Sequence, residues 1–376
     1  MEPKREATPP RVPLLPRELP FEHTDLDALG GHIGPDPEDF RVDEVPLYAA
    51  SGEGEHWYVR VKKRMATTAE LQGALSEASG VPQRDIGYAG MKDKHAVTTQ
   101  WLSVPAPRAR PPAEWQLPES FELLEATRHA NKLRIGHLAA NRFRIRLVNV
   151  DSGAEARVGP LSARISGAGI GNYFGSQRFG NGQRNLESAL FALSRRRLGP
   201  RAGQRGRFLS SVIQSEIFNR FSMARSELGR DRVLAGDVVR LEGSHSLFVV
   251  ENAESEQRRL DAGDIHLTGP MLGPKMRASS GRPHELEIEA STSLGLSDEA
   301  LAELGRSAPG TRRDLVLRPA EMRHELEPDG SLILDFALPA GAYASLVVRA
   351  FTRRDPWPVS DGDNSAPSGR MEHVDD

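Results

Sequence analysis

The run Gly87-Tyr88-Ala89-Gly90-Met91-Lys92-Asp93-Lys94-His95-Ala96-Val97-Thr98 decides how the rest of this 376-residue chain is read. Its glycines and polar side chains make a loop, and Thr98-Thr99-Gln100-Trp101-Leu102-Ser103-Val104 after it has the β-branched and aromatic content of a strand. Asp93 stands between Lys92 and Lys94, whose charges favour the ionised carboxylate. Taken alone, such a Lys-Asp-Lys loop reads first as an exposed ion pair. It is not a nucleotide-phosphate loop, because the four-residue gap and the Lys-Ser/Thr ending are missing.

Working outward, residues 40–45 and 57–61 alternate apolar and polar around the loop Ser51-Gly52-Glu53-Gly54, which predicts two strands. Thr67 followed by Glu70 is a capping box, so a helix opens there and closes at Gly80. Further strands are expected near 121–126 and 141–150. Helical periodicity then takes over at 186–197 and 208–228, where Leu209, Val212, Ile213, Ile217 and Phe221 recur at three and four. Short strands at 238–241 and 246–250 and helices at 254–262 and 297–304 follow. Strand pattern returns at 314–317 and 331–338, with a last helix from about Gly341.

Strands on both sides of a mostly helical block predict one α+β domain interrupted by an insertion. The expected boundaries are 21–166 for the first part, 167–315 for an α/β insertion domain and 316–354 for the second part. Residues 1–20, with six prolines, and 355–376, with six acids, are expected to be flexible.

Composition narrows the chemistry. With 49 Lys+Arg against 52 Asp+Glu the net charge is −3, so any nucleic-acid signal must be local. The chain has 0 cysteines, which excludes disulfides, thiolate metal sites and cysteine nucleophiles. No metal is expected either, since His23, His32, His56, His95, His129 and His137 show no ligand spacing. No run reaches a membrane-spanning length, and the expected location is the cytoplasm.

Two stretches are strongly basic. Residues 128–146 hold Arg128, Lys132, Arg134, Arg142, Arg144 and Arg146 without one acid, and residues 178–207 hold eight arginines against Glu187 alone. Clustered arginine beside Tyr173, Phe174 and Phe179 points to an RNA backbone. Arg178, Arg195, Arg196 and Arg197 are the named candidates. The competing view is that Arg142, Arg144 and Arg146 are the solvated face of a strand. Asn141 and Phe143 are mute by themselves, a strand entry and a core aromatic.

Several separated motifs resemble the tRNA pseudouridine synthase D (TruD) family. They are Pro37-Glu38-Asp39-Phe40 with Val42 and Glu44-Val45-Pro46, Gly52-Glu53-Gly54-Glu55-His56, the 87–98 run, and Asn172-Tyr173-Phe174-Gly175-Ser176-Gln177-Arg178-Phe179-Gly180. Phe208-Leu209-Ser210-Ser211, Thr268-Gly269-Pro270 and Leu338-Pro339-Ala340-Gly341 complete the likeness. The resemblance implies a catalytic domain with a mixed, mainly antiparallel sheet, interrupted by the insertion. It implies isomerisation of uridine to pseudouridine in tRNA, at position 13, without metal or organic cofactor; a monomer is expected because a tRNA-sized ligand needs an open cleft. It further implies Asp93 as the catalytic aspartate, Phe143 as the aromatic against the uracil, Asn141 as a hydrogen-bonding partner, and Lys92 as a tuning charge. The sequence departs from the family at Gly34, where a lysine is usual. Competing expectations are an RNA-binding factor with a dispensable centre, or a hydrolase pairing Asp93 with Asp85.

Overall fold

Alternation becomes a sheet because the central strands put an apolar side chain at every second position. A computed structural model describes residues 19–180, 183–198 and 202–357. The flexible ends expected from sequence lie almost wholly outside them, as does Arg201. The described chain divides into two compact units, one of residues 21–170 with 318–357, the other within residues 171–317.

In chain order come β1 (Gly30–Ile33), β2 (Phe40–Pro46), β3 (His56–Arg64), α1 (Thr68–Ser79), β4 (Gly87–Tyr88), β5 (Val97–Pro105), β6 (Phe121–His129), β7 (Leu138–Val150) and α2 (Ala154–Ala168). The chain continues through β8 (Ile170–Gly171), α3 (Ser176–Phe179), α4 (Arg184–Ser194), α5 (Gly203–Glu227), β9 (Val238–Leu241), β10 (Leu247–Val249), α6 (Ala253–Asp261), β11 (Ile265–Met271), α7 (Gly281–Thr292), α8 (Asp298–Gly305), β12 (Thr311–Asp314) and β13 (Val316–Leu317). It returns as β14 (Ala320–Leu326), β15 (Leu332–Pro339) and α9 (Ala344–Thr352).

The larger sheet runs β14-β15-β7-β2-β5-β3-β6, with β1 added to β7 and β4 to β5. Every pairing is antiparallel except β2 with β5, so the sheet is mixed and mainly antiparallel. That one parallel pairing is short, spanning Arg41–Asp43 against Val97–Thr99, and β4 takes over β5 at Leu102 and Ser103. Between them the two strands part.

Helix α1 lies over β3 and β5, where Leu71 and Leu75 are fully buried against Val59, Val61, Leu102 and Val104. Its ends are set by sequence. The Thr67 backbone N–H donates to the Glu70 carboxylate (2.6 Å) while Thr67 Oγ1 accepts from Glu70 N (3.1 Å), and Gly80 at φ 77° closes the last turn onto Ser76 O. In the other unit α5 packs with α4, α7 and β11, burying the Leu209, Val212, Ile213, Ile217 and Phe221 stripe. A four-stranded sheet, β10-β9-β11-β12, belongs to that unit. The sequence pattern had not disclosed β1, α2, β11, α7 and β14, and the last helix starts at Ala344 rather than Gly341.

Candidate active site around Asp93

Strand phase builds the site. Phe40, Val42 and Glu44 share the buried side of β2, Val59, Val61 and Lys63 that of β3, and Asn141, Phe143 and Ile145 one side of β7. Register puts these on one face, with Glu44 opposite Asn141, Val42 opposite Phe143 and Thr98, and Lys63 opposite Thr98. Five polar side chains thus occupy this face: Glu44, Lys63, Thr98, Gln100 and Asn141. Sequence reading missed Glu44 and Lys63, although a charge on the apolar phase of a strand is a usable signal.

Asp93 sits in the turn between β4 and β5, and the turn is bolted to this face. Lys92 N donates to Thr68 Oγ1 (3.1 Å), which donates to Gln100 Oε1 (3.0 Å). Lys92 Nζ forms a buried ion pair with Glu44, whose other oxygen accepts the Trp101 backbone N–H (3.2 Å) just where β2 and β5 separate. Lys63 Nζ donates to the carbonyl oxygens of Ala66 (2.6 Å), Asp93 (2.7 Å) and, more weakly, Lys92 (3.4 Å). At the start of the turn Gly87 must stay glycine, because a Cβ there would overlap the Leu133 carbonyl oxygen.

Asp93 keeps some exposed surface, yet burial pushes its carboxyl above the ordinary 3.8, and Lys63 and then Lys92 pull it back. Burial also lowers Lys63 from 10.5 to about 8, opposed by the attraction of Asp93. The centre therefore holds a carboxylate whose proton affinity is raised by desolvation and limited by two lysines.

Asn141 Oδ1, Thr98 Oγ1 and Gln100 Nε2 are buried without a hydrogen-bond partner. Unsatisfied buried polar atoms cost about 1–3 kcal/mol each and call for an explanation. Phe143 is 7% exposed, stacked on Phe336 (centroids 5.4 Å, 23°) and edge-on to Phe40 (6.0 Å). Most of its ring is core.

The three arginines of the first basic stretch that lie on the opposite phase of β7 are paired with acids. Arg142 pairs with Glu321, Arg144 with Asp335 and Glu325, and Arg146 with Asp329 and Asp39. Asp85, the partner a hydrolase reading needs, is bound to Arg108 at 3.0 Å. In the other unit Arg178 is anchored to Ser211 Oγ (2.7 Å) and Ser215 Oγ (3.1 Å) and lies over Phe174 and Phe208. Arg195, Arg196 and Arg197 are exposed beyond the end of α4, Arg195 over the ring of Phe191, itself 44% exposed. Among the described residues no group of His, Asp and Glu could hold a metal ion, and no helix is long and apolar enough to cross a membrane.

The family model of tRNA pseudouridine synthase D (TruD) matches residues 20–193 and 206–351. The chain belongs to the TruD family. It is 41% identical over 345 residues to tRNA pseudouridine synthase D of Anaeromyxobacter dehalogenans strain 2CP-C, covering 90% of this chain and 97% of that protein. Identity to a Thermus thermophilus protein of the same name is 37% over 335 residues, 89% and 92% of the two. A crystal structure from Methanosarcina mazei described as a TruD has TM-score 0.68 and 26% identity, over 89% of this chain and 96% of that one.

Against the TruD pattern, Gly34 has a structural reason. A Cβ at position 34 would overlap the Asp39 carboxylate, which is held by the Asp36 backbone N–H (3.0 Å) and faces Arg146 (3.6 Å). A lysine there would have to displace that arrangement. The Lys92–Glu44 pair is open to direct test. Lys92→Met strands a buried carboxylate, so denaturant unfolding should show a loss of about 3–5 kcal/mol; a loss under about 1 kcal/mol, as for a surface pair, would contradict the burial described.

Proposed function

We propose that this TruD-family chain isomerises uridine to pseudouridine in tRNA, at position 13, with Asp93 as the catalytic carboxylate. The observation that carries the assignment is the Asp93 turn itself, clamped by two buried lysines on the sheet face that also carries Asn141. The reaction breaks N1–C1′, turns the uracil over and joins C5 to C1′. A proton leaves C5 and N1 takes one, so composition is unchanged. An ionised carboxylate at the sugar serves either route, by capturing C1′ or by taking the C2′ proton to leave a glycal. Raising its proton affinity by burial suits it to taking a proton or to attacking C1′.

Asn141 offers its unpartnered Oδ1 to the N3–H of a flipped uracil. Phe143 contributes the part of its ring that Phe40 and Phe336 leave uncovered. Lys92 sets the field through its pairing with Glu44. Arg195, Arg196 and Arg197 contact RNA phosphates, and Arg178, bound to Ser211 and Ser215, lies over Phe174. No step calls on a metal or organic cofactor, and the acting species is the monomer.

Three outcomes test this. Tritium release from C5-tritiated tRNA should vanish in Asp93→Asn while tRNA binding persists; release at the wild-type rate would remove Asp93 from the mechanism, and a binding protein that never released tritium would favour the binding-factor view. Phe143→Leu, which keeps most of the core filled, should lower single-turnover release by part of the about 1–3 kcal/mol that base stacking supplies. Full activity in that variant would leave Phe143 a core residue only. Neutralising Arg195, Arg196 and Arg197 together should reduce the dependence of log affinity on log salt by about 2–3 in slope, and an unchanged slope would reject those phosphate contacts.

A further inference from the structure

Lys63 takes no part in the chemistry above, yet its placement is unusual for a lysine. Its side chain is fully buried, and each of its three hydrogen-bond acceptors is a main-chain carbonyl oxygen: Ala66, Lys92 and Asp93. An ammonium has three donors, so all are engaged, and none goes to a carboxylate. Buried lysines are normally paired with acids because an uncompensated charge is costly to desolvate. The neighbouring ammonium obeys that rule, with Lys92 locked onto Glu44.

We propose that Lys63 is the positioning residue of the Asp93 centre, its ammonium pinning the turn through the carbonyls of residues 66, 92 and 93 while supplying the unpaired positive charge that faces the Asp93 carboxylate. The proposal rests on Asp93 being the catalytic group. Lys92 cannot fill this place, since its charge is balanced by Glu44. Nor is there room for a side chain at Gly34 without moving Asp39.

The charged surroundings of Lys63 are few. From the turn come Asp93 and Lys92, and from α1 comes Glu70, already held by Thr67. His95 also acts on Asp93. The residues opposite Lys63 on the two neighbouring strands, Thr98 and Phe121, carry no charge. Burial lowers Lys63 to about 8, so its charge is lost as pH rises through that value. Losing it removes the attraction that favours the Asp93 carboxylate and loosens the carbonyl clamp. Both effects fall on the chemical step and leave tRNA affinity alone.

The test compares wild type, Lys63→Gln and Lys63→Arg in single-turnover tritium release from about pH 6 to pH 9, with tRNA affinity and thermal unfolding measured on the same preparations. Glutamine keeps donors without charge, and arginine keeps charge. Lys63→Gln is expected to lose about 10- to 100-fold in rate near neutral pH with tRNA affinity unchanged, the size of loss that misplacing a reacting group produces. Wild type is expected to lose rate with a midpoint near 8, and Lys63→Arg to restore rate and carry that decline to higher pH. A Lys63→Gln rate equal to wild type, a loss confined to tRNA affinity, or a wild-type rate level from about pH 7 to pH 9 would each overturn the proposal. Should Lys63→Gln fail to fold, the wild-type profile and Lys63→Arg decide alone. Asp93→Asn run in parallel separates the two claims: if it still releases tritium, the assignment of Asp93 fails whatever the Lys63 variants do.

Discussion

Where β2 and β5 diverge, a main-chain N–H and a gap in the sheet have to be filled, and the Glu44 carboxylate fills both by accepting from Trp101 and pairing with Lys92. Side-chain exposures of 4% for Lys92 and 1% for Glu44 make this an interior pair. In such a setting the Coulombic attraction scarcely exceeds the desolvation of the two ions. Its value lies in geometry. Lys92 precedes Asp93, so holding its side chain against β2 fixes where the next residue begins, and Thr68 holds the same residue by its backbone N–H. The capping box of α1 sits one residue before that threonine, which ties a local helix signal to the position of the carboxylate.

The electrostatics of the centre oppose stability in a way that suits a reactive group. Asp93 binds its proton more tightly folded than unfolded, so between 3.8 and its raised folded value stability falls as pH rises, and above that value the ionised carboxylate is a standing cost. Lys63 has the reverse shift for a base. Between about 8 and 10.5 the unfolded chain holds the proton that the folded chain has shed, so stability rises with pH there, and below about 8 the buried ammonium is again a standing cost. Where both groups are charged, each cost is reduced by the other charge. Neighbouring apolar packing, chiefly Leu71 and Leu75 on Val59, Val61, Leu102 and Val104, supplies the offset.

The parts of this arrangement that sequence discloses are those with a local cause. Strands β2 and β3 alternate, β5 is rich in β-branched and aromatic residues, Thr67 and Glu70 mark a helix start, and the glycine-framed Lys-Asp-Lys turn stands out as a motif. Elements without a local signature were invisible. Helix α2 contains Gly159 and Pro160, both helix breakers in isolation, and β11 carries Gly269-Pro270, so tertiary packing overrides propensity in each. Strand β14 is mostly exposed and polar and offers no apolar phase. Within the centre, Lys63 reads as one of the cations in Lys62-Lys63-Arg64 until strand phase shows it buried while Lys62 and Arg64 are exposed or half-exposed. The arginines of β7 illustrate the opposite failure. They look like an RNA stripe in one dimension, and only the neighbouring strands bring Glu321, Asp335 and Asp329 to neutralise them.

The account stands on a carboxyl at position 93 that is harder to ionise than an ordinary aspartate. A carbon-13 NMR titration of the aspartate carboxyls, with Asp93→Asn identifying the resonance, reads this directly. The expected result is that the resonance removed by Asp93→Asn titrates above 3.8. A position-93 carboxyl titrating at or below 3.8 would contradict the dominance of burial over lysine charge on which the centre is built.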